Sequence, residues 1–220
     1  MTVSRRNFLA GSAGVGVTSF LIAACGNSAS KSSSTGSGDT TTLVEAVAGL
    51  PTGFSFDTSP SGYENMEFTN NNHACLIRNP YVSNSRSPNS LKQDTYKFEG
   101  VLVDSYDVSA DGLEYTFNLR KGVLSQKGNP FTAEDVLFSY QRKFHSTSIT
   151  PFVTSPAITN PSKQFSKVDD HTVRITVQRK SDGFTLLALL ANVTSQIYDS
   201  TYLKSVATKS DPYGLTASNA

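Results

Sequence analysis

The sequence predicts a mixed α/β lobe in which strands and helices alternate along the chain. Residues 113–119 and 173–177 alternate apolar and polar side chains, which is the period of a half-buried strand. Residues 132–145 instead repeat apolar side chains at helical spacing. The chain has 220 residues, of which 37% are hydrophobic, and this is enough to bury one ordinary core.

The first clear unit is a hairpin between Val101 and Arg120. The stretch "VLVDSYDVS" predicts one strand, and Asp111-Gly112 is a dipeptide typical of tight hairpin turns. The second strand, "LEYTFNLR", places every other side chain on one face, namely Leu113, Tyr115, Phe117 and Leu119. Lys121 and Gly122 then reverse the chain.

A helix is predicted to follow, beginning at Thr132. Thr132 and Asp135 have the spacing of a capping box, in which each residue satisfies backbone groups of the first turn. We expect the cations at the other end to complement the negative pole of the helix; they are Arg142, Lys143 and His145. The predicted buried stripe consists of Val136, Leu137, Tyr140 and Phe144.

The remaining segments give shorter elements. We predict a second hairpin over residues 165–177, with Asp169 and Asp170 as turn formers rather than as paired catalytic carboxylates. A buried helix is expected within 181–193, a short strand at 195–199 and an amphipathic helix at 200–208. Upstream, the pattern indicates a buried strand at 42–50, a helix within 63–78, and an exposed excursion with short strands at 79–100.

The N-terminus has the pattern of an export signal. Arg5 and Arg6 precede a moderately apolar run from Phe8 to Ala24, which is too short for a tilted membrane span. The stretch "SRRNFLA" resembles a twin-arginine signal. An ordinary Sec signal with two adjacent arginines is the alternative.

The apolar run ends at "LIAAC", which resembles a bacterial lipobox whose cysteine, Cys25, accepts the lipid. The alternative is a buried hydrophobic cysteine. Residues 26–42 are rich in Gly and Ser, which predicts a flexible tether. The predicted organisation is therefore an export signal at 1–24, a lipidated cysteine with its tether at 25–42, and a folded lobe at 43–220. Cys75 remains as a lone thiol.

Composition and motifs argue against several classes of function. The 19 basic and 18 acidic side chains nearly cancel, so no nucleic-acid partner is predicted. His73 and Cys75 lack a second ligand pair at suitable spacing, so neither a metal site nor a cofactor is expected. The chain contains neither a G-x-S-x-G nor an H-E-x-x-H motif, and we predict that it is not an enzyme. A secreted cell-envelope hydrolase is the alternative.

The best candidate for ligand contact is the turn "AGLPTGFSFD" after the first predicted strand. Ligands in open α/β sheets collect beyond the carboxyl ends of strands, where loops expose backbone amides. Gly49, Phe54 and Phe56 are the candidate ligand-binding residues, because the two rings would suit a cleft wall. A loop that merely covers the core is the competing interpretation.

Two stretches resemble a known family. "YDVSADGLEYTFNLRKGV" followed by "GNPFTAEDVLFSYQR" resembles the signature region of family 5 extracellular solute-binding proteins, the peptide and nickel group that serves ABC importers. The resemblance extends from Leu43 to Ala220. One departure is "SQKG" at residues 125–128, where family members usually carry a His-Asp or similar pair.

The resemblance implies a periplasmic-binding-protein-like fold, of which this chain would be the first lobe of a two-lobed clamp, truncated before the second. It implies a monomeric protein, lipid-anchored on the outer face of the cell membrane, that presents oligopeptides to ABC-transporter permease subunits. Nickel chelates, sugars and haem are further ligand classes of the fold. A truncated fragment without transport activity is another reading.

Overall fold

The computed structural model describes residue 57 and residues 72–87, 89–147 and 149–216, all within one compact unit, 46–220. The strands are β1 Ile77–Arg78, β2 Tyr81–Ser83, β3 Leu91–Gln93, β4 Glu99–Gly100, β5 Val103–Val108, β6 Glu114–Leu119, β7 Phe165–Asp169 and β8 Thr172–Thr176. The α-helices are α1 Ala133–His145, α2 Thr150–Thr154, α3 Pro161–Gln164, α4 Gly183–Leu190 and α5 Ser200–Val206. Over these ranges no helix has the length and apolarity to cross a bilayer.

The centre of the lobe is an antiparallel sheet with strand order β5-β6-β8-β7. The turn between β5 and β6 is the predicted Asp-Gly turn. Gly112 has φ 75°, a left-handed conformation that glycine adopts without steric cost. Its N–H donates to the Ser109 carbonyl at 2.8 Å, and the Asp111 carboxylate accepts from the Leu113 N–H at 3.0 Å. The predicted first hairpin is confirmed.

One face of this sheet forms the core. Tyr115 of β6 pairs with Ile175 of β8, and Phe117 pairs with Val173. These four side chains are buried, whereas the residues between them on both strands are half-buried. The alternation predicted for both strands is confirmed, and Leu113 packs partly buried at the edge of the same cluster.

Helix α1 packs against β7 and β8. The ring of Tyr140 stacks on that of Phe165 with centroids 4.4 Å apart. Val136 and Tyr140 are fully buried, while Leu137 and Phe144 pack partly buried against the same core. The predicted helix and its buried stripe are confirmed.

The later helices α4 and α5, the second hairpin, and the short strands β2 and β3 of the exposed excursion also agree with prediction. The strand predicted for 42–50 lies outside the described residues.

One predicted element is wrong where the structure describes it. Residues 195–199 are not a strand: Ser195 ends a 3₁₀ turn, Val193–Ser195, and in the extended segment after it the Ile197 N–H donates to the Ala74 carbonyl at 2.9 Å. Of the helix predicted within 63–78, residues 63–71 lie outside the described residues, Asn72 is helical, and residues 73–78 are not, with Ile77 and Arg78 pairing with Gly100 and Glu99. Helices α2 and α3, which the sequence did not predict, have proline in their first turn.

Candidate functional site

The residues predicted to carry function lie outside the described residues. This applies to the export-signal pair, the lipidation site and the ligand-binding turn: Arg5, Arg6, Cys25, Gly49, Phe54 and Phe56. The site described below is therefore built from other parts of the chain.

A cavity of about 510 Å³ lies where three segments meet. They are residues 72–74 before β1, the loop 123–131 between β6 and α1, and residues 197–203 at the start of α5. Its lining is mainly apolar and aromatic: Leu102, Val123, Leu124, Pro130, Phe131, Ile197, Tyr198, Tyr202 and Leu203. Concave, largely apolar pockets of this size suit small organic solutes.

Asp199 fixes one side of the cavity. Its Oδ2 accepts from the Ser125 hydroxyl at 2.5 Å and from the Asn129 amide at 2.9 Å, and its Oδ1 accepts from the Tyr202 N–H at 2.8 Å. Burial raises the pKa of this carboxyl, but the bonds from Ser125, Tyr202 and Asn129 outweigh that effect and lower the pKa overall. Asp199 therefore holds the loop 123–131 to the first turn of α5.

Asp135 is the second carboxylate that lines the cavity. This buried carboxylate accepts from the Thr132 N–H through Oδ2 at 2.7 Å and from the Ser200 N–H through Oδ1 at 2.8 Å. One side chain thus joins the start of α1 to the start of α5. A second link lies one turn along, where the Ser139 hydroxyl accepts from the Tyr198 N–H at 2.8 Å.

Tyr198 lines the cavity and also contacts two cations of α1, Arg142 and Lys143. The guanidinium carbon of Arg142 lies 4.6 Å from its ring centroid, and Lys143 Nζ lies 4.5 Å from it. The ring of His73 contacts Tyr198 edge-on at 5.3 Å. Cations at these distances are attracted by the ring quadrupole, so the aromatic wall is electrostatically coupled to α1.

Arg142 and Lys143 are fully buried. Arg142 Nη1 pairs with Asp57 at 2.5 Å, where both side chains are inaccessible to solvent, and its Nε donates to the Tyr213 carbonyl at 3.2 Å. Lys143 Nζ donates to the Gln196 carbonyl. The sequence predicted these cations only as partners of the helix pole, and that prediction missed their burial. Helical spacing could have indicated their burial, because Arg142 and Lys143 lie three and four residues after Ser139 and so continue the buried face of α1.

Burial changes the acid–base properties of two groups here. It lowers the pKa of Lys143 to about 8, because the charged form is desolvated. It raises the pKa of Cys75 to about 11, and the thiol donates to the Asn192 carbonyl at 3.3 Å. Cys75 is therefore protonated at neutral pH, which makes it a poor nucleophile and metal ligand. Throughout the part of the chain that the structure describes, no three His, Cys, Asp or Glu side chains are grouped to hold a metal ion.

Comparison with known proteins identifies the family. Residues 97–219 match the family described as bacterial extracellular solute-binding proteins, family 5 Middle. The chain belongs to this family. Within the described residues, the match covers the central sheet, helices α1 to α5 and most of the cavity-forming segments.

Among curated relatives, this family 5 chain is 33% identical over 212 residues to heme-binding protein A of Haemophilus influenzae, covering 87% of the chain and 36% of the relative. It is 35% identical over 115 residues to di/tripeptide-binding protein 2 of Pseudomonas aeruginosa, covering 46% and 21%.

Solved structures share the fold of the family 5 chain. HbpA2 from Haemophilus parasuis has a TM-score of 0.57 at 23% identity, over 76% of this chain and 33% of that one. A dipeptide-binding protein from Pseudoalteromonas sp. SM9913, in complex with Met-Leu, has a TM-score of 0.55 at 22% identity, with the same coverage. The chain spans about a third of the length of these relatives.

Proposed function

We propose that this family 5 chain captures small solutes, most importantly oligopeptides, outside the cytoplasm and delivers them to an ABC importer. The family match over residues 97–219 carries the proposal. The described residues add a solute-sized cavity with aromatic walls. Delivery would require ABC-transporter permease subunits as partners and a monomeric receptor.

Oligopeptides are favoured by the relatives. Several curated ones are named as dipeptide- or di/tripeptide-binding proteins, and solved structures with this fold hold a bound peptide. The relative that aligns over most of the chain is named for heme, so haem is the ligand to compare. A cavity lined mainly by apolar groups would accept either an apolar side chain of a peptide or the apolar part of haem.

The proposed solute site combines the cavity with the predicted turn. The carboxylates of Asp135 and Asp199 already accept hydrogen bonds from the protein, so an apolar group entering the cavity would not leave them unsatisfied. Leu124 and Tyr202 would supply contact area. We also propose Gly49, Phe54 and Phe56, the residues of the predicted turn, as ligand contacts.

The anchor completes the proposal. Arg5 and Arg6 would direct export, and Cys25 would carry the lipid that keeps the protein on the outer face of the membrane. Each buried methylene of an acyl chain contributes about 0.8 kcal/mol to membrane binding. The Gly- and Ser-rich tether would then let the lobe move above the membrane.

The test is ligand binding by the purified full chain. We expect isothermal titration to detect a dipeptide with apolar side chains and to show weaker binding of haemin. Leu124, which is 62% exposed and lines the cavity, gives the test variant Leu124→Asp, which should weaken peptide binding. Phe152, which is 78% exposed and does not line the cavity, gives the control Phe152→Asp, which should bind as the wild type does.

Three results would count against the proposal. A folded chain that binds neither dipeptides nor haemin would refute solute capture. Binding of haemin alone would refute the choice of oligopeptides. Equal peptide affinity in the Leu124→Asp and Phe152→Asp variants would remove the cavity from the site, and Phe54→Ala and Phe56→Ala would then test the turn.

A further inference from the structure

An aromatic patch on the surface is not used by the proposed solute site. It consists of Tyr96, Phe98 and Phe184. The ring of Phe184 lies 6.1 Å from that of Tyr96 and 5.6 Å from that of Phe98, measured between centroids. Tyr96 is 81% exposed and Phe184 is 50% exposed, while Phe98 packs partly buried against the core. The rings of Tyr96 and Phe184 are therefore exposed to water, and Phe98 connects them to the core.

The neighbouring hairpin adds further exposed apolar groups. Tyr81 of β2 pairs with Gln93 of β3, and Ser83 pairs with Leu91. Paired residues in an antiparallel ladder point to the same face, as do residues two apart in one strand. Tyr81 and Leu91 therefore share one face of the hairpin, and both are exposed. Lys92, which pairs with Val82, lies on the other face, so Tyr81 and Leu91 are not counted in the patch. The base of the hairpin is closed by a bond from the Asp94 N–H to the Pro80 carbonyl at 2.9 Å.

The charge beside the patch is positive. Asp94 accepts from the Tyr96 N–H at 3.2 Å and pairs with Lys97 at 3.3 Å. Lys92 acts electrostatically on the same carboxylate, so two ammonium groups share one anion next to the Tyr96 ring. Arg86, in the loop joining β2 to β3, adds another exposed cation.

We propose that the aromatic patch and its lysines form a surface that docks on an anionic lipid bilayer. Exposed aromatic rings combined with lysines are typical of segments that lie in the membrane interface, where the rings enter the headgroup region and the ammonium groups meet lipid phosphates. Protein–protein interfaces are instead depleted in lysine, which favours lipid over a protein partner. The inference goes beyond solute capture and does not require lipidation of Cys25.

The chain contains no tryptophan, so a single introduced tryptophan reports its own surroundings. The test uses the full chain carrying Cys25→Ser, so that no acyl chain is attached, with Phe184→Trp as the reporter. Phe152→Trp is the control, because Phe152 is also highly exposed but lies on α2. On adding phosphatidylglycerol vesicles, we expect the emission of the reporter to shift to the blue and to be quenched by brominated acyl chains. The control should show neither change.

The lysines are tested separately on the Phe184→Trp background. Lys92→Gln and Lys97→Gln should each weaken vesicle binding by about fivefold, the contribution expected of one lysine near an anionic surface. Lys163→Gln, at an exposed position on α3, should change nothing.

Unshifted emission at position 184 in a folded chain would overturn the proposal, as would equal shifts at positions 184 and 152. Equal binding to neutral phosphatidylcholine vesicles would refute the role of the lysines. A shift at position 184 that requires an added membrane protein would show a protein interface instead.

Discussion

Arg142 and Lys143 are two adjacent cations removed from water on one turn of α1. A buried charge is costly unless it is paired and hydrogen-bonded. Arg142 has the Asp57 carboxylate and a backbone carbonyl. Lys143 has one backbone carbonyl and the faces of two tyrosine rings. The two residues should therefore respond differently to pH and to substitution.

For Lys143 we predict a rise in stability with pH. Its pKa is about 8 in the folded chain against an ordinary 10.5, so between these values the unfolded chain binds more protons and the free energy of unfolding increases with pH. The slope is at most about 1.4 kcal/mol per pH unit. Cys75 has the opposite effect on the free energy of unfolding. Between pH 9.0 and about 11 the folded chain keeps the thiol proton that the unfolded chain loses, so stability falls as the pH rises.

Between pH about 8 and 9, the effect of Lys143 on stability can therefore be measured apart from that of Cys75. Urea unfolding of the wild type and of Lys143→Met should show the wild type gaining stability relative to the variant across this range. Lys163→Met, at an exposed position, serves as the control and should run parallel to the wild type. A constant difference between the wild type and Lys143→Met would contradict the prediction.

The Asp57–Arg142 pair predicts strong coupling. Replacing one partner leaves the other charge buried without its counterion, which typically costs about 3–5 kcal/mol. We expect Asp57→Leu and Arg142→Met each to lower the free energy of unfolding by that order, and the double variant to lose clearly less than the sum. Denaturant unfolding of the four proteins measures the coupling, and additive losses would show that the pair has no net interaction.

Among the elements, the starts of α1 and α5 are joined directly by the Asp135 carboxylate. Asp135→Ala removes two charge-assisted bonds to backbone N–H groups, to Thr132 and to Ser200. Since such bonds contribute about 1.5–3 kcal/mol each, we expect a loss of about 3 kcal/mol or more in denaturant unfolding. Glu134→Ala is the matched control at the adjacent position. It breaks an exposed pair with Lys204 and removes a weaker attraction to Lys167, and it should cost under about 1 kcal/mol. Similar losses in both variants would refute the capping role.

Elements set by local pattern were predictable from the sequence. The hairpin β5–β6 and helix α1 follow from residues within a few positions of one another, namely a turn dipeptide, an alternation and a capping pair. Helices α2 and α3 were not predicted because each is about one turn long, too short for a helical period to show. The false strand at 195–199 shows the reverse error, since a short extended segment without a partner strand forms no ladder.

The described part of the candidate site was not predictable in the same way. Its cavity is formed by residues 72–74, 123–131 and 197–203, which only the fold brings together. The Asp57–Arg142 pair likewise joins positions far apart in the sequence. Family resemblance identified the class of protein without identifying this cavity, because the residues that carry the resemblance in β6 and α1 are mainly core.

For the whole molecule, covalent anchoring to the membrane is predicted to depend on one thiol. In cells, Cys25→Ala should move the exported protein from the detergent phase to the aqueous phase in detergent-phase partitioning, because the covalent lipid anchor is lost. Cys75→Ala is the matched control and should partition as the wild type does. Detergent-phase recovery of Cys25→Ala equal to that of the wild type would reject the lipobox assignment.

The strand order β5-β6-β8-β7 also has a consequence for how the lobe is made. Each outer pair is a hairpin closed by a short turn and forms in microseconds, but β6 meets β8 only after a loop containing α1, α2 and α3 has closed. Loop closure of this kind slows folding. Until it occurs, β6 and β8 each have one edge without a partner strand, and they expose the apolar side chains of Tyr115, Phe117, Val173 and Ile175. Such exposed edges make the nascent chain prone to aggregate. Chaperone protection should therefore matter most in the interval between synthesis of the two hairpins and their joining.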